Sequence, residues 1–327
     1  MRKLFPILLI GTLSMLFAEV FSGASQMWFI NGWGILVTFP LYLAHVLFFL
    51  GIALKTGKTS LSQLYLFGVI FALYEAWITK VLWAGYMDSE GPNAGTFLGV
   101  GLTEFPVLTF FWHPIMSFIV PILVFEILTG KVLSGHEWIL KKTRRKTSLI
   151  VIFLILVATF IANGNGFNIV FANASFLGTI AIVILFLHLS KGASITDLEF
   201  GKRGFGLLSL YLLLLYIITF IYLLPDRIPT TITPYLTIAV FYAIPIALIY
   251  KSEWTGVYVE TPEPYSYSKK DLATFLPISV LAVSFACLMP DISPGILAVT
   301  YFLLLLVGTL LFLWIVYTTS KKIISVR

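Results

Sequence analysis

A carboxylate and an ammonium, Glu75 and Lys80, stand inside the apolar run Leu61 to Ala84, and an imidazole, His113, stands inside the run Leu102 to Leu128. Glu19, His45 and Glu104 add further ionisable groups to the first part of the chain. An ionised side chain near the centre of a bilayer costs at least about 2.5–3.5 kcal/mol on insertion scales, so each needs an internal partner or a task. Carboxylate and imidazole together suit proton binding and proton transfer. Lys80 adds a cation that can pair with another helix, snorkel to the outer interface or hold an anionic group.

Depth follows from the ~1.5 Å rise of a helix. Counted from the cytoplasmic end, Glu75 falls roughly two-thirds of the way along its helix, His45 and His113 fall near the midplane, and Glu19 and Glu104 fall at the outer margin. Gly68, Glu75, Thr79 and Tyr86 share one face of a regular helix, and Gly68 would let a neighbour approach closely there. Lys80 lies about 140° round that helix from Glu75, a poor angle for a direct pair. Pro106, Pro114 and Pro121 predict that the His113 helix is kinked or locally broken. Non-helical backbone at that depth must face protein or water, so a cavity near His113 is expected. Glu126 and His188 fall near cytoplasmic helix ends, within reach of solvent.

Other chemistries lack their signatures. His45, His113, Glu75 and Glu19 include suitable metal-ligand types, but no His-Glu-x-x-His pair or close histidine doublet gathers them, and no metal or cofactor is expected. Ser22, Ser25 and Ser117 lack a nucleophile-elbow motif, and no glycine-rich phosphate loop is present. The single cysteine, Cys287, excludes an intrachain disulfide. Asn163-Gly164-Asn165-Gly166 is a turn signal.

The elements that must position these groups are membrane helices. Mean hydropathy of +0.99, with 59% hydrophobic and 11% charged residues, is far from the roughly 25% charged residues of a soluble domain. Besides the first segment, apolar runs occupy Trp33 to Leu54, Leu61 to Ala84, Leu102 to Leu128, Ser148 to Ala162, Phe167 to Leu189, Phe205 to Leu224, Ile232 to Tyr250, Leu272 to Met289 and Ile296 to Tyr317. The expected fold is therefore all-α and polytopic, with about ten transmembrane helices. Leu4 to Ala18 fits a cleaved signal peptide or a retained helix, and the apolar run through Phe21 favours the helix.

Charge sets orientation. Arg2, Lys3, Lys55, Lys58, the cluster Lys141 to Lys146, Lys202, Arg203, Lys269, Lys270, Lys321, Lys322 and Arg327 fall on one side, against Arg227 on the other. Both termini are thus expected to be cytoplasmic, in a multi-pass protein of the cell membrane. The net charge of +6 is dispersed over loops, which argues against nucleic acid and for membrane lipids as partners. The uneven polar content suggests a division into 1–140, four helices carrying the polar cluster, and 141–327, about six helices of mainly apolar scaffold. The leading functional expectation is a secondary transporter or permease for a small solute, proton-coupled through Glu75. The alternative is an intramembrane enzyme on a lipid or polyprenyl-linked substrate, with a Glu/His/Lys site in the outer half of the bilayer.

Overall fold

The computed structural model describes residues 3–87, 89 and 91–325; Arg2 and Arg327, which contribute to the charge bias, lie outside the described residues. The chain is built of helices α1 (Leu4–Met15), α2 (Phe39–Thr56), α3 (Leu61–Ala72), the single turns α4 (Tyr74–Trp77) and α5 (Val81–Ala84), then α6 (Glu104–Pro106), α7 (Val120–Thr129), α8 (Glu137–Leu140), α9 (Arg144–Gly164), α10 (Ile169–Leu189), α11 (Lys202–Tyr222), α12 (Thr233–Lys251), α13 (Lys269–Leu288) and α14 (Ser293–Ser325). Stretches of π-helix at Leu16–Val20, Gly34–Thr38 and Val107–Ile119 continue α1, lead into α2 and join α6 to α7. Among the described residues, sheet is confined to two antiparallel ribbons, β1 (Thr96–Phe97) with β2 (Val100–Gly101), and β3 (Val132–Leu133) with β4 (Val259–Glu260).

Among the described residues, eight helical stretches are long and apolar enough to cross a membrane, and Leu4–Val20 and Leu61–Trp77 are shorter apolar helices. The all-α, polytopic fold with about ten apolar segments is therefore the observed one. Burial separates their roles. In the apolar window of Glu104–Thr129, 78% is buried, against only 6% in that of Lys202–Tyr222, where Leu207, Leu213 and Ile221 are presented outward as a lipid-facing helix requires.

The chain divides into two compact units, each drawn from three segments, and the position 140/141 falls inside the first. That first unit comprises Met1–Leu47, Val120–Glu199 and Val257–Tyr301. In it α1 packs on α10 and α7, and α9 packs on α13. Gly23 lies against α9, where an added Cβ would stand 2.4 Å from the Phe160 carbonyl oxygen. The long connector after α12 is tied down by β3 and β4 and by the Lys141–Ser266 bridge.

The second unit comprises Phe48–Ile119, Phe200–Gly256 and Phe302–Arg327. Its centre is α3 packed on the π-helix Val107–Ile119. Gly68 allows that approach, since a Cβ there would meet Pro114 Cα at 2.6 Å. The sequence predicts a kinked or locally broken helix around His113; the helix is not broken at Pro114 but runs through it as π-helix, a local irregularity at the proline. Proline removes a donor and crowds the carbonyl four residues back, and the wider i→i+5 turn accommodates both.

A second difference lies at Leu61 to Ala84, which sequence treats as one helix. The regular helix ends at Ala72, α4 supplies one further turn, and Lys80 takes a left-handed conformation with φ 59°. The Lys80 ammonium is bonded at this break. Lys80 is fully buried, and its Nζ donates to the carbonyls of Thr219, at 2.8 Å, and Leu223, at the C-terminal end of α11. A helix C-terminus carries unpaired carbonyls and partial negative charge, so it is a natural seat for a cation. Lys58 serves α12 in the same way, donating to Ile249 at 2.5 Å and Ser252 at 2.6 Å. Burial pulls the Lys58 pKa below the ordinary lysine value. Arg227 similarly donates to the carbonyls of Gly85 and Met87, each at 2.8 Å.

Two outcomes are expected from this packing. Gly68→Ala should destabilise the protein by about 1–3 kcal/mol through overpacking against backbone, whereas Gly51→Ala, where a Cβ meets nothing within 4 Å, should not; thermal unfolding in detergent compares them. Lys80→Met should cost about 1.5–3 kcal/mol for the lost charge-assisted bonds. An unchanged unfolding midpoint in Lys80→Met would show that the cage contributes nothing to stability.

Candidate functional site

The site is assembled on two neighbouring elements of the second unit. Glu75 sits in α4, immediately beyond the end of α3, and is 8% exposed. His113 sits in the π-helix and is 2% exposed. Glu75 Oε1 and His113 Nε2 are 3.1 Å apart. On the other edge of the imidazole, His113 Nδ1 and Ser117 Oγ are 2.9 Å apart, one helical turn along. On the other carboxylate oxygen, the Thr79 hydroxyl donates to Glu75 Oε2. The result is a buried chain in the order Thr79, Glu75, His113, Ser117.

Local sequence holds each member in place. Gly68 brings α3 against the π-helix, so residues one and two turns further along α3 and α4 meet His113. The Tyr74 ring meets the imidazole edge-on at 5.1 Å, and Phe71 lies 5.9 Å from it. Both rings restrict imidazole rotation through packing. Thr79 also bonds the Glu75 carbonyl at 2.9 Å, which helps hold the last turn before Lys80 reverses the backbone. Beside the carboxylate, Trp77 donates to the Tyr242 hydroxyl at 3.1 Å.

The hydrogen-bond roles follow from the donor inventory. An ionised carboxylate only accepts, so when Glu75 is ionised Nε2 carries the proton directed at it, and when Glu75 is a carboxylic acid its O–H donates to Nε2. Nδ1 accepts from Ser117 when the imidazole is neutral and donates to it when the ring is protonated. The pair Glu75–His113 is electrically neutral overall either as carboxylate with imidazolium or as carboxylic acid with imidazole, and these states differ by the position of one proton. Loss of a proton from the pair leaves one buried negative charge, which the Thr79 hydroxyl is placed to stabilise.

The other candidates have partners of their own. Lys80 belongs to the same unit, but its ammonium is spent on the α11 carbonyls, so it neither pairs directly with Glu75 nor snorkels to an interface. Glu104 is fully buried and accepts from the Asn93 amide at 3.1 Å and the Thr103 hydroxyl at 2.8 Å. Glu19 and His45 belong to the first unit. Glu19 lies in the π-helix Leu16–Val20 and accepts from Tyr42 at 2.6 Å and Ser25 at 2.5 Å. His45 Nδ1 contacts the Leu41 carbonyl at 2.7 Å, one turn back on its own helix.

The expectation that Glu126 reaches solvent is corrected. Glu126 is fully buried, with both carboxylate oxygens on His136 Nδ1, at 2.9 and 3.1 Å, and Oε1 also on the Leu133 amide. His136 is itself fully buried and lies past the turn at Gly130. Sequence reasoning passed over it because no helical spacing links the two residues; the turn between them brings them together. Ser117 carried one available signal, its i+4 position from His113, which places it over the same helical face.

Comparisons with known proteins place the whole chain but not its chemistry. A family model described as "Uncharacterized membrane protein family" matches residues 8–325. A relative from Archaeoglobus fulgidus, described as "Uncharacterized protein", is 48% identical over 119 residues, which cover 36% of this chain and 37% of that protein. The aligned part thus spans little more than a third of the relative's length. No solved structure matches the chain. On the extent of the family match, the chain belongs to this membrane protein family.

Proposed function

We propose that this member of the family is a proton-coupled carrier for a small solute in the cell membrane, with the Glu75–His113 pair as its proton-binding unit. The observation that supports the reading is the 3.1 Å contact between a buried carboxylate and a buried imidazole on adjacent membrane elements. Ionisable groups at such positions in membrane proteins mark proton relays and transport pathways. The neighbouring backbone suits the task as well. A segment broken at residues 78–80 and a π-helix through Pro114 flank the pair, and carriers use interrupted helices around their ion sites. Ser117 and Thr79 extend the pair by one hydroxyl at either end.

One observation favours a second reading, an intramembrane enzyme on a lipid or polyprenyl-linked substrate. The order Glu75, His113, Ser117 is that of an acid, a base and a hydroxyl nucleophile. Lys80 has no place in that chemistry, because its ammonium is enclosed by carbonyls.

Three measurements test these readings. In liposomes loaded with a pH-sensitive dye and presented with pools of small solutes, the wild-type protein should acidify the lumen in a solute-dependent way. Glu75→Gln should slow that by about tenfold or more, a loss worth ~1.4 kcal/mol; a transported solute that moves protons equally fast in Glu75→Gln would sink the carrier assignment. Infrared spectroscopy offers a solute-free check: a carboxylic acid C=O band that titrates in wild type should be missing from Glu75→Gln. A fluorophosphonate probe should leave Ser117 unlabelled in a carrier, and covalent capture at Ser117, abolished in His113→Gln, would replace the carrier with the enzyme.

A further inference from the structure

We propose that the surface where α9 and α13 begin, in the first unit, is a docking surface for the headgroups of anionic phospholipids. The backbone brings two basic segments together there. Lys142 N donates to the Tyr265 carbonyl at 2.8 Å, and Tyr267 N donates to the Leu140 carbonyl at 2.9 Å, so residues 140–142 run beside residues 265–267. Helix α9 then opens with Arg144, Arg145 and Lys146, and the adjacent α13 opens with Lys269 and Lys270.

Among the described residues, most of this charge is engaged in no ion pair or side-chain hydrogen bond. Lys142 pairs with Asp271, and Lys146 turns back to the carbonyls of Trp138, at 2.5 Å, and Ile139 and Lys141, each at 3.2 Å. Lys141, Arg144, Arg145, Lys269 and Lys270 are exposed, and among the described residues their side chains make no ion pair or hydrogen bond. The acidic groups facing the same region are fewer. Asp271 is taken by Lys142, Glu137 accepts from the Gly135 amide, and Glu260 and Glu263 lie in the connector before α13. The first turn of a helix favours anions, so cations there raise the local positive potential instead of neutralising it.

The flanking residues identify the partner as lipid and not a soluble anion. Trp138 and Tyr265 are both exposed, and Lys146 Nζ stands 5.8 Å from the centre of the Trp138 ring. Amphipathic rings of this kind settle at headgroup depth. Both α9 and α13 continue from this surface as helices long and apolar enough to cross a membrane, which would put the cations at the level of headgroup phosphates. An aromatic anchor beside unpaired guanidinium and ammonium groups fits a phosphodiester attached to the bilayer.

The test uses the full-length protein in phosphatidylcholine nanodiscs with or without phosphatidylglycerol. Phosphatidylglycerol should raise the unfolding midpoint of wild type by about 4 °C or more. The increment should vanish in Arg144→Gln/Arg145→Gln/Lys269→Gln/Lys270→Gln and persist in Lys321→Gln/Lys322→Gln, which removes exposed charge at the end of α14. An increment retained by the fourfold variant overturns the proposal, as does an equal rise given by millimolar inorganic phosphate in discs of phosphatidylcholine alone. Should the fourfold variant fail to insert, wild type still decides: photoreactive phosphatidylglycerol should label residues 138–146 and 265–271 more heavily than photoreactive phosphatidylcholine, and equal labelling refutes the assignment.

Discussion

Within the hydrocarbon of a bilayer no water satisfies a polar group, so every buried donor, acceptor or charge must find its partner in the protein. Lys80 shows how far this constraint shapes the structure. Its ammonium is fully buried and bonds carbonyls at the end of α11, and the backbone adopts a left-handed residue to bring it there. Lys80 stands between α4 and α5, just beyond the turn that carries Glu75. Lys58 and Arg227 repeat the arrangement, each a cation seated on main-chain carbonyls.

Because those cations are committed to backbone, the buried carboxylates meet other partners. Glu75 faces His113 and Glu126 faces His136, each within its own unit. A carboxylate with lysine or arginine is held as a charged pair, and desolvation of two charges is costly. A carboxylate with histidine escapes that cost by moving one proton, so the pair tolerates burial and retains the capacity to change protonation state. The same property that makes such a pair stable in a membrane makes it chemically useful.

The elements that carry the pair are also the least regular. The π-helix through Pro114 and the interrupted end of α3 are packed together at Gly68, where a side chain would strike Pro114. Close backbone approach lets the imidazole lie within reach of α4. Regular helices at ordinary spacing would separate these groups by the side chains between them.

Composition alone determined that this is a helical, multi-pass membrane protein, because an apolar run of spanning length has few other physical solutions. It also marked Glu75, Lys80 and His113 as residues in need of partners, since a charge inside such a run is costly wherever the helix packs. The identity of those partners was decided by tertiary structure. Sequence spacing describes neighbours on one helix: it put Thr79 on the face of Glu75, and the i+4 position of Ser117 from His113 was the one further signal it carried. It carries no information on which helices touch, so the Glu75–His113 contact, the seating of Lys80 on α11 and the Glu126–His136 pair were illegible. The prolines signalled irregularity in the His113 helix, but that the backbone runs through Pro114 as π-helix packed on Gly68 is seen only in the tertiary structure.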